Sequence, residues 1–598
     1  MKENITRLLR PALENPALVQ SFSGVRVNFG PGPDISPADS ALATAYGYVY
    51  SMLILAGFSK ANLLIGHDPR PTGGAIAESL ARGFLAGAKR AGCKIKIFDL
   101  GVITTPLLQT AVRELKVPGG VMVTASHNPL TDNGFKFLTG FSANSDDAPP
   151  GALLSSAKMA KLVQAVQEIA TDGESEFSAD IEAIDEAVFT HAFGHGEDHH
   201  HRIKAERAYL DFIGEEWGVE PHCLKPLTLG PALLDPNGGA ACGINARVLE
   251  HFGVRTIETN ARLGYPEHPI DTDGIDPRTG KHVLLRVAQS AYHAGARFGI
   301  AFDYDADRGN IVLAGMDESA IIPPQVVAAF SIGLALAHWK SLKKKNGRLA
   351  VVMSDSTSGA SVEMAELFGA KISVVETGEI NVVTRMRQLR DEGYEVPIGV
   401  EGANGGAIFG RSTCRDGLQT ALCAALADES PEMPKHWVSL FPHKQPTPTH
   451  VSSVRLPDML ALVPHYYNSV FKIEGPALPH GKVKARMEKY FVKKIWPNLS
   501  KIYSSYEFAN YEGALRVDRR TGDETGGWRI NLQAPSFGAK SERRSIESDF
   551  IFARGSRTEA GIWRIIVDSP DETRAAELSR IAPMIFREAS TGKGVVSG

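Results

Sequence analysis

The chain has 598 residues, 43% of them hydrophobic, with 64 basic and 68 acidic side chains and a net charge of -4. At roughly 150 residues per domain this length predicts about four domains, each able to bury its own core. The charge balance argues against nucleic-acid partners, which need an excess positive field, and the longest apolar runs, such as Phe330 to Trp339, are too short to span a membrane. Five scattered cysteines, Cys93, Cys223, Cys242, Cys414 and Cys423, form no CxxC pair and no dense disulfide spacing, so a reducing, cytoplasmic setting is expected. The opening MKENITRLLRPALENP is too polar for a signal peptide, and the closing VSG is no peroxisomal tripeptide.

The first predicted unit contains NLLIGHDPRPTG, a β-rich run ending in a turn, then the helical GAIAESLARGFLAGAKRAG and the strands KIKIFDL and VMVTA. The strand Val121 to Val123 ends in TASHNP, which puts Ser126 on a loop at the carboxyl edge of a parallel sheet, where α/β proteins hold their ligands. The same residues also suit an ordinary turn. A serine hydrolase is disfavoured, because GxSxG is missing and His127, adjacent in sequence, is poorly placed to act as a base. The polar stretch 143–202 reads as an insertion, and its His191, His195, His199, His200 and His201 read as a solvated cluster in preference to a transition-metal site.

The strand-turn-helix rhythm recurs in ALLDPNGGAACGINARVLEHFG with the strand ARFGIAFD, and again in RLAVVMSDSTSGASVEMAELFG with KISVVET. ARFGIAFD runs directly into Asp303, Asp305 and Asp307. Three carboxylates in one tight loop repel unless a cation neutralises them, and an all-oxygen set suits a hard ion such as magnesium. An EF-hand is excluded by Arg308 at its glycine position and Ala314 at its glutamate position. Farther on, VEGANGGAIFG offers Glu401 and Asn404 between glycines, a pattern suited to sugar hydroxyls or to a flexible turn.

The stretches 429–450 and 533–548 read as loops or linkers. Around them, the helix-like RMEKYFVKKI, the strand-like GALRVDR and WRINL, and the closing helix DETRAAELSRIAPMIFREA make a smaller α+β region. Within it ARGSRTEAGIWR gathers Arg554, Ser556, Arg557 and Thr558 about Gly555, either as a phosphate cradle or as an ordinary surface loop. The predicted architecture is α/β, with three related mixed-sheet α/β domains (1–205, 206–317 and 318–467) and a smaller C-terminal α+β domain (468–598).

Taken in order along the chain, these four loops resemble those of the α-D-phosphohexomutases. TASHNP resembles the family's phosphoserine loop, DYDADR its DGDADR metal loop with Tyr304 for glycine, EGANGG its sugar loop, and RGSRTE its RPSGTE phosphate loop. Shorter matches lie between them: SGVR ending at Arg26, GHDPRPTG from Gly66, TTPLL from Thr104, NGFK ending at Lys136, and RDG from Arg415. There are departures. The sugar loop lacks the histidine of GEXSGH and admits two registers for its acidic residue, and Arg557 replaces glycine or asparagine. ETGEIN sets Glu376 and Glu379 around Thr377 and Gly378, where relatives often carry a lysine, so a change in sugar preference is expected.

The resemblance implies transfer of a phosphoryl group between positions 1 and 6 of a hexose phosphate through phosphorylated Ser126. It also implies Mg2+ on Ser126, Asp303, Asp305 and Asp307, and a hexose 1,6-bisphosphate as intermediate and activator. Arg26 and Arg308 would flank the reacting group, Lys136 or His127 would manage the hydroxyl proton, and Thr377, Gly378, Glu401 and Asn404 would contact the sugar. Arg554, Ser556, Arg557 and Thr558 would hold the non-reacting phosphate. The expected substrates are mannose or glucose phosphates, with phosphoacetylglucosamine as the alternative and a non-catalytic sugar-phosphate binder as the alternative of another class. The four domains would surround one central cleft, and a monomer or dimer is expected.

Overall fold

The computed structural model describes residues 5–141, 148–171, 176–193, 198–222, 230–272, 274–341, 347–429, 432–441, 454–476, 478–517, 526–534, 548–556, 559 and 561–591. The chain forms two compact units, one of residues 1–322 with 408–430, the other of residues 323–407 with 431–598.

The first unit holds two mixed sheets. In the six-stranded one the order is Val19–Ser21, Gly24–Asn28, Asp132–Thr139, Gly119–Val123, Lys60–His67 and Lys94–Val102. Lys60–His67 runs parallel to both Lys94–Val102 and Gly119–Val123, while Asp132–Thr139 is antiparallel to its neighbours. Every residue of Gly119–Val123 is buried, as expected of a strand covered on both faces. The pairing places Arg26 opposite Gly134. A Cβ on Gly134 would stand 2.1 Å from the Val25 carbonyl and 3.0 Å from Arg26 Cγ, so only glycine lets the two strands approach there. The four-stranded sheet has the order Gly309–Leu313, Phe298–Phe302, Ala232–Asp235 and Thr256–Glu258. Its first pair is antiparallel and joined by the Asp303–Arg308 loop.

The segment expected as a polar insertion is mostly helical where it is described, with Ser156–Thr171, Glu176–Glu182, Glu186–Phe193 and the start of His199–Trp217. Met159, Leu162, Val166, Ala170, Phe177 and Phe189 join the same buried cluster as Val25, Val121 and Phe135. Their helical spacing leaves the exposed faces polar, which is why the stretch reads as hydrophilic on average. The last of these helices runs unbroken across positions 205 and 206, and it anchors RDG: Tyr209 Oη donates to Asp416 at 2.8 Å and Trp217 Nε1 to Gln419 at 2.9 Å. Of the histidine cluster, His199 and His200 are exposed while His201 stacks on Phe98 with ring centroids 3.5 Å apart. His195 lies outside the described residues.

The second unit holds the parallel strands Lys371–Val375, Arg348–Ser354 and Tyr394–Glu401, paired in that order. It also holds a five-stranded antiparallel sheet, Tyr467–Glu474, Ile562–Ser569, Ser548–Gly555, Trp528–Gln533 and Ser505–Phe508. The closing helix Glu572–Thr591 buries Leu578, Ile581, Ile585 and Phe586 in a cluster with Trp528 and Trp563 from that sheet. The segment 535–547, most of the expected 533–548 loop, and 442–450 within 429–450 lie outside the described residues. The α/β class with a smaller C-terminal α+β region is as expected from the sequence.

Candidate active site

In the first unit, the buried strand Gly119–Val123 delivers Thr124, Ala125 and Ser126 to the carboxyl edge of its sheet, and Phe298–Phe302 delivers Asp303. Ser126 Oγ donates to Asp303 Oδ2 at 2.9 Å, while His127 Nδ1 lies 3.4 Å from the same hydroxyl. The Asp303–Arg308 loop turns back through Ala306, whose φ is 61°, and the Arg308 N–H donates to Asp303 Oδ1 at 3.0 Å. Asp303, Asp305 and Asp307 are all buried, and one oxygen of each lies within 4.8 Å of the others.

Several cations meet this cluster. Lys136 Nζ donates to Asp305 Oδ2 at 2.7 Å and to Asp307 Oδ2 at 3.2 Å. Arg308 Nε donates to Asp303 at 2.9 Å, and Arg415 Nη2 to Asp307 at 2.6 Å. Arg26 Nη1 donates to the Ala125 carbonyl at 3.4 Å; burial lowers its pKa to about 10 against the pull of Asp305 and Asp307. Burial, joined by the charge of Asp307, pushes the Asp303 carboxyl up to about 7 despite Arg308. Asp307 goes the other way: burial would raise it, but Arg415, Lys136 and Arg308 together hold it well below the usual carboxylate range.

The residues fit a hard divalent cation. Asp305 Oδ1 and Asp307 Oδ1 are buried and make no hydrogen bond, so an all-oxygen donor set has lone pairs to spare. Among the described residues, this trio is the one group of His, Cys, Asp or Glu with such geometry.

Three further residues bear on the site, and the sequence reading, which matched their motifs, gave them no role. Thr105 Oγ1 donates to Asp305 Oδ2 at 2.7 Å and its N–H to the Asp305 carbonyl at 2.9 Å. Arg415 reaches Asp307 across 108 residues of sequence. Arg70 bonds the backbone of the Ser126 loop. The only sequence signal for these was their place in GHDPRPTG, TTPLL and RDG.

In the second unit the carboxyl ends of the parallel strands bring together Asp355, Thr377 and the Glu401–Asn404 turn. Thr377 Oγ1 donates to Asp355 Oδ1 at 2.6 Å. Gly378, with φ 146°, opens the helix Glu379–Asp391. Glu401 is buried, and Asn404 Oδ1 accepts the Gly406 N–H at 2.9 Å. Arg554 Nη1 donates to the Thr377 carbonyl at 2.6 Å, so the ARGS strand end and the TG turn are neighbours. Ser556 Oγ accepts the Glu559 N–H at 3.1 Å, whereas Arg557 and Thr558 lie outside the described residues. Glu376 is buried, and its carboxylate accepts the N–H groups of Gly513 at 2.9 Å and Gly526 at 2.8 Å. Its carboxylate also lies 3.8 Å from Arg554 Nη2, so its charge is shared between backbone amides and that arginine.

Residues 22–149 match the family model for phosphoglucomutase/phosphomannomutase α/β/α domain I, and residues 330–440 match that for domain III. The phosphoglucosamine mutase of Clavibacter sepedonicus is 30% identical over 365 residues, covering 60% of this chain and 67% of that one. The phosphoglucosamine mutase of Arthrobacter sp. (strain FB24) is 29% identical over 368 residues, 61% of this chain and 68% of its own. A crystal structure of a phosphoglucomutase/phosphomannomutase family protein from Burkholderia thailandensis superposes with a TM-score of 0.61 at 16% identity, over 96% of this chain and 97% of that one.

Proposed function

Because the chain belongs to the α-D-phosphohexomutase superfamily, an isomerase family, we propose that it interconverts hexose 1-phosphate and hexose 6-phosphate through phosphorylated Ser126. The observation that carries this reading is the Ser126 hydroxyl, bonded at 2.9 Å to the first of three buried carboxylates whose oxygens are not all used. A binding protein has no need of such a hydroxyl.

Phosphoryl transfer asks mainly for positioning and for charge at the reacting oxygens. The phosphoryl leaves Ser126 Oγ for a sugar hydroxyl, whose proton passes to His127, or to Lys136 as its ammonium gives a proton to the departing Ser126 oxygen. The bisphosphate so formed turns over and returns its other phosphoryl to Ser126 Oγ, which releases the isomerised monophosphate. Mg2+ held by Asp303, Asp305, Asp307 and a phosphoserine oxygen would offset the negative charge on the transferred group. Arg308 and Arg26 add fixed positive charge on the same side. Lys136, pinned between Asp305 and Asp307, keeps its ammonium close to the reacting serine's loop. Arg554 and Ser556, with Arg557 and Thr558, hold the phosphate that stays on the sugar, while Thr377, Gly378, Glu401 and Asn404 meet its hydroxyls.

Mannose and glucose phosphates are the first reading of the sugar. A second, glucosamine phosphate, is supported by the names of the curated relatives. The test has two parts: labelled glucose 1,6-bisphosphate should transfer its phosphoryl to the peptide containing Ser126, and coupled assays across mannose, glucose, glucosamine and N-acetylglucosamine phosphates should then rank the substrates. Turnover without label on Ser126 would reject the mechanism.

A further inference from the structure

Ser126 is the residue of the TASHNP loop with a positive φ, 51°. A side chain in that left-handed region is strained, and it persists only where the surroundings over-determine it. Here the restraint has a traceable origin. The Ser126 N–H donates to Thr124 Oγ1 at 2.8 Å, and Thr124 Oγ1 donates in turn to Asp68 Oδ2 at 2.6 Å. On the other side the Ser126 carbonyl accepts from Arg70 Nη2 at 2.7 Å, and Arg70 Nε donates to the same Asp68 Oδ2 at 3.1 Å. Both backbone polar groups of the strained serine are therefore tied back to one carboxylate.

Arg70 does more than close this ring. Its Nη2 also bonds the Asn128 carbonyl at 2.7 Å, and Nη1 bonds the Asp132 carbonyl at 2.8 Å and that of Pro129. Asp68 and Arg70 are 0% and 2% exposed, so water offers no alternative partner. Arg70 Cζ lies over the ring of Tyr304, from the acidic loop, 5.4 Å from the ring centre. Tyr304 stands where the resembled loops carry glycine, and it is itself buried.

We propose that Arg70 is a positioning residue for phosphoryl transfer: together with Thr124 it suspends Ser126 from Asp68 and so aims the hydroxyl at Asp303. This rests on the reading of Ser126 as the phosphate carrier. Arg70 touches no reacting atom, so its loss should slow transfer without weakening capture of the sugar phosphate. A fork of parallel donors is needed to hold several carbonyls at once, and lysine, a point charge, does not replace it.

The experiment measures single-turnover transfer from labelled glucose 1,6-bisphosphate to Ser126, with steady-state kcat and KM, in Arg70→Lys, Thr124→Val and Thr124→Ser. Misplacement of a reacting group by about 1 Å costs on the order of 100-fold. Arg70→Lys and Thr124→Val should therefore lose roughly 10- to 100-fold in transfer rate and kcat, with KM within about threefold of the parent. Thr124→Ser keeps both hydrogen bonds and should stay within about twofold. If Arg70→Lys does not fold, the contrast between Thr124→Val and Thr124→Ser decides. A folded Arg70→Lys that transfers at the parental rate, or one whose loss lies wholly in KM, overturns the proposal. Sugar-phosphate turnover by the unaltered protein without label on Ser126 overturns it together with the phosphoserine reading, an outcome distinct from failure in the variants alone.

Discussion

Ser126 Oγ lies against Asp303 while Asp305 and Asp307 hold Lys136, so single substitutions here separate chemistry from binding. Ser126→Ala removes the proposed carrier and nothing adjacent replaces it; activity should fall by on the order of 1,000-fold or more, with the melting temperature close to the parent's. Coupled assay and calorimetry on one preparation check both halves. Asp305→Asn keeps the side chain's size and removes a charge from the cation site, so the magnesium activation constant should rise and the rate fall, with excess magnesium restoring activity only in part. Arg554→Ala should leave magnesium activation normal and raise KM and the bisphosphate requirement roughly 10- to 150-fold, the equivalent of a charge-assisted bond of about 1.5 to 3 kcal/mol. Weakened magnesium activation in Arg554→Ala, with substrate dependence untouched, would mean that the two loops have been given each other's roles.

At the scale of elements, the helices of 156–217 are where sequence and structure part most. TASHNP and DYDADR were legible because each follows a short, continuously apolar strand, and loops at such strand ends carry ligands in α/β folds. The helices were not, because buried Met159, Leu162, Val166 and Ala170 recur every three or four residues among polar neighbours. Glu376 was legible only in part: the sequence places it beside Thr377 and Gly378 but says nothing of the Gly513 and Gly526 amides and the Arg554 guanidinium that meet its carboxylate. Arg70 was illegible in the same way, since its acceptors other than Asp68 are backbone carbonyls 56 to 62 residues away. The helical reading predicts that Phe189→Ala, which empties a buried position under Arg82, destabilises the protein by about 3 to 5 kcal/mol in urea unfolding. Changing His191, His195, His199, His200 and His201 to Ser should leave mutase activity unchanged; at most, stability falls by about 0.5 to 1.5 kcal/mol through loss of the His201 stack on Phe98. Lost activity that zinc restores and magnesium does not would establish a metal site there.

For the molecule as a whole, one buried ion pair sets a pH dependence of stability. His268 Nε2 lies 3.0 Å from Asp235 Oδ2 and Nδ1 lies 2.9 Å from the Pro269 carbonyl. Both ring nitrogens face acceptors, so the doubly protonated ring satisfies both. Burial would lower the imidazole pKa, yet the bond to and the charge of Asp235 outweigh it, leaving the group above its usual 6.5. The native state then binds a proton more tightly than the unfolded chain. The resulting stabilisation is full below about pH 6.5 and is lost as pH rises through the native pKa. The stability difference between the parent and His268→Gln, followed by urea unfolding from pH 5.5 to 9, should shrink as pH rises; a difference that grows would refute the assignment.

The first unit is built from two stretches of chain, and Arg415 on the second stretch pairs with Asp307 on the first, 108 residues earlier. A ribosome adding about 5 to 20 residues per second releases the acidic loop roughly 5 to 20 seconds before that arginine exists. During the interval the nascent loop holds its carboxylates against fewer fixed cations than the finished protein gives it, and the helix Gly417–Glu429, which follows Arg415, has not been made. Any magnesium in the surrounding medium can take up the unbalanced charge meanwhile. Synthesis in a magnesium-poor extract should therefore lower the yield of native protein for the parent chain, and should do so less for Asp307→Asn, which carries one charge fewer to be balanced while the chain is still growing.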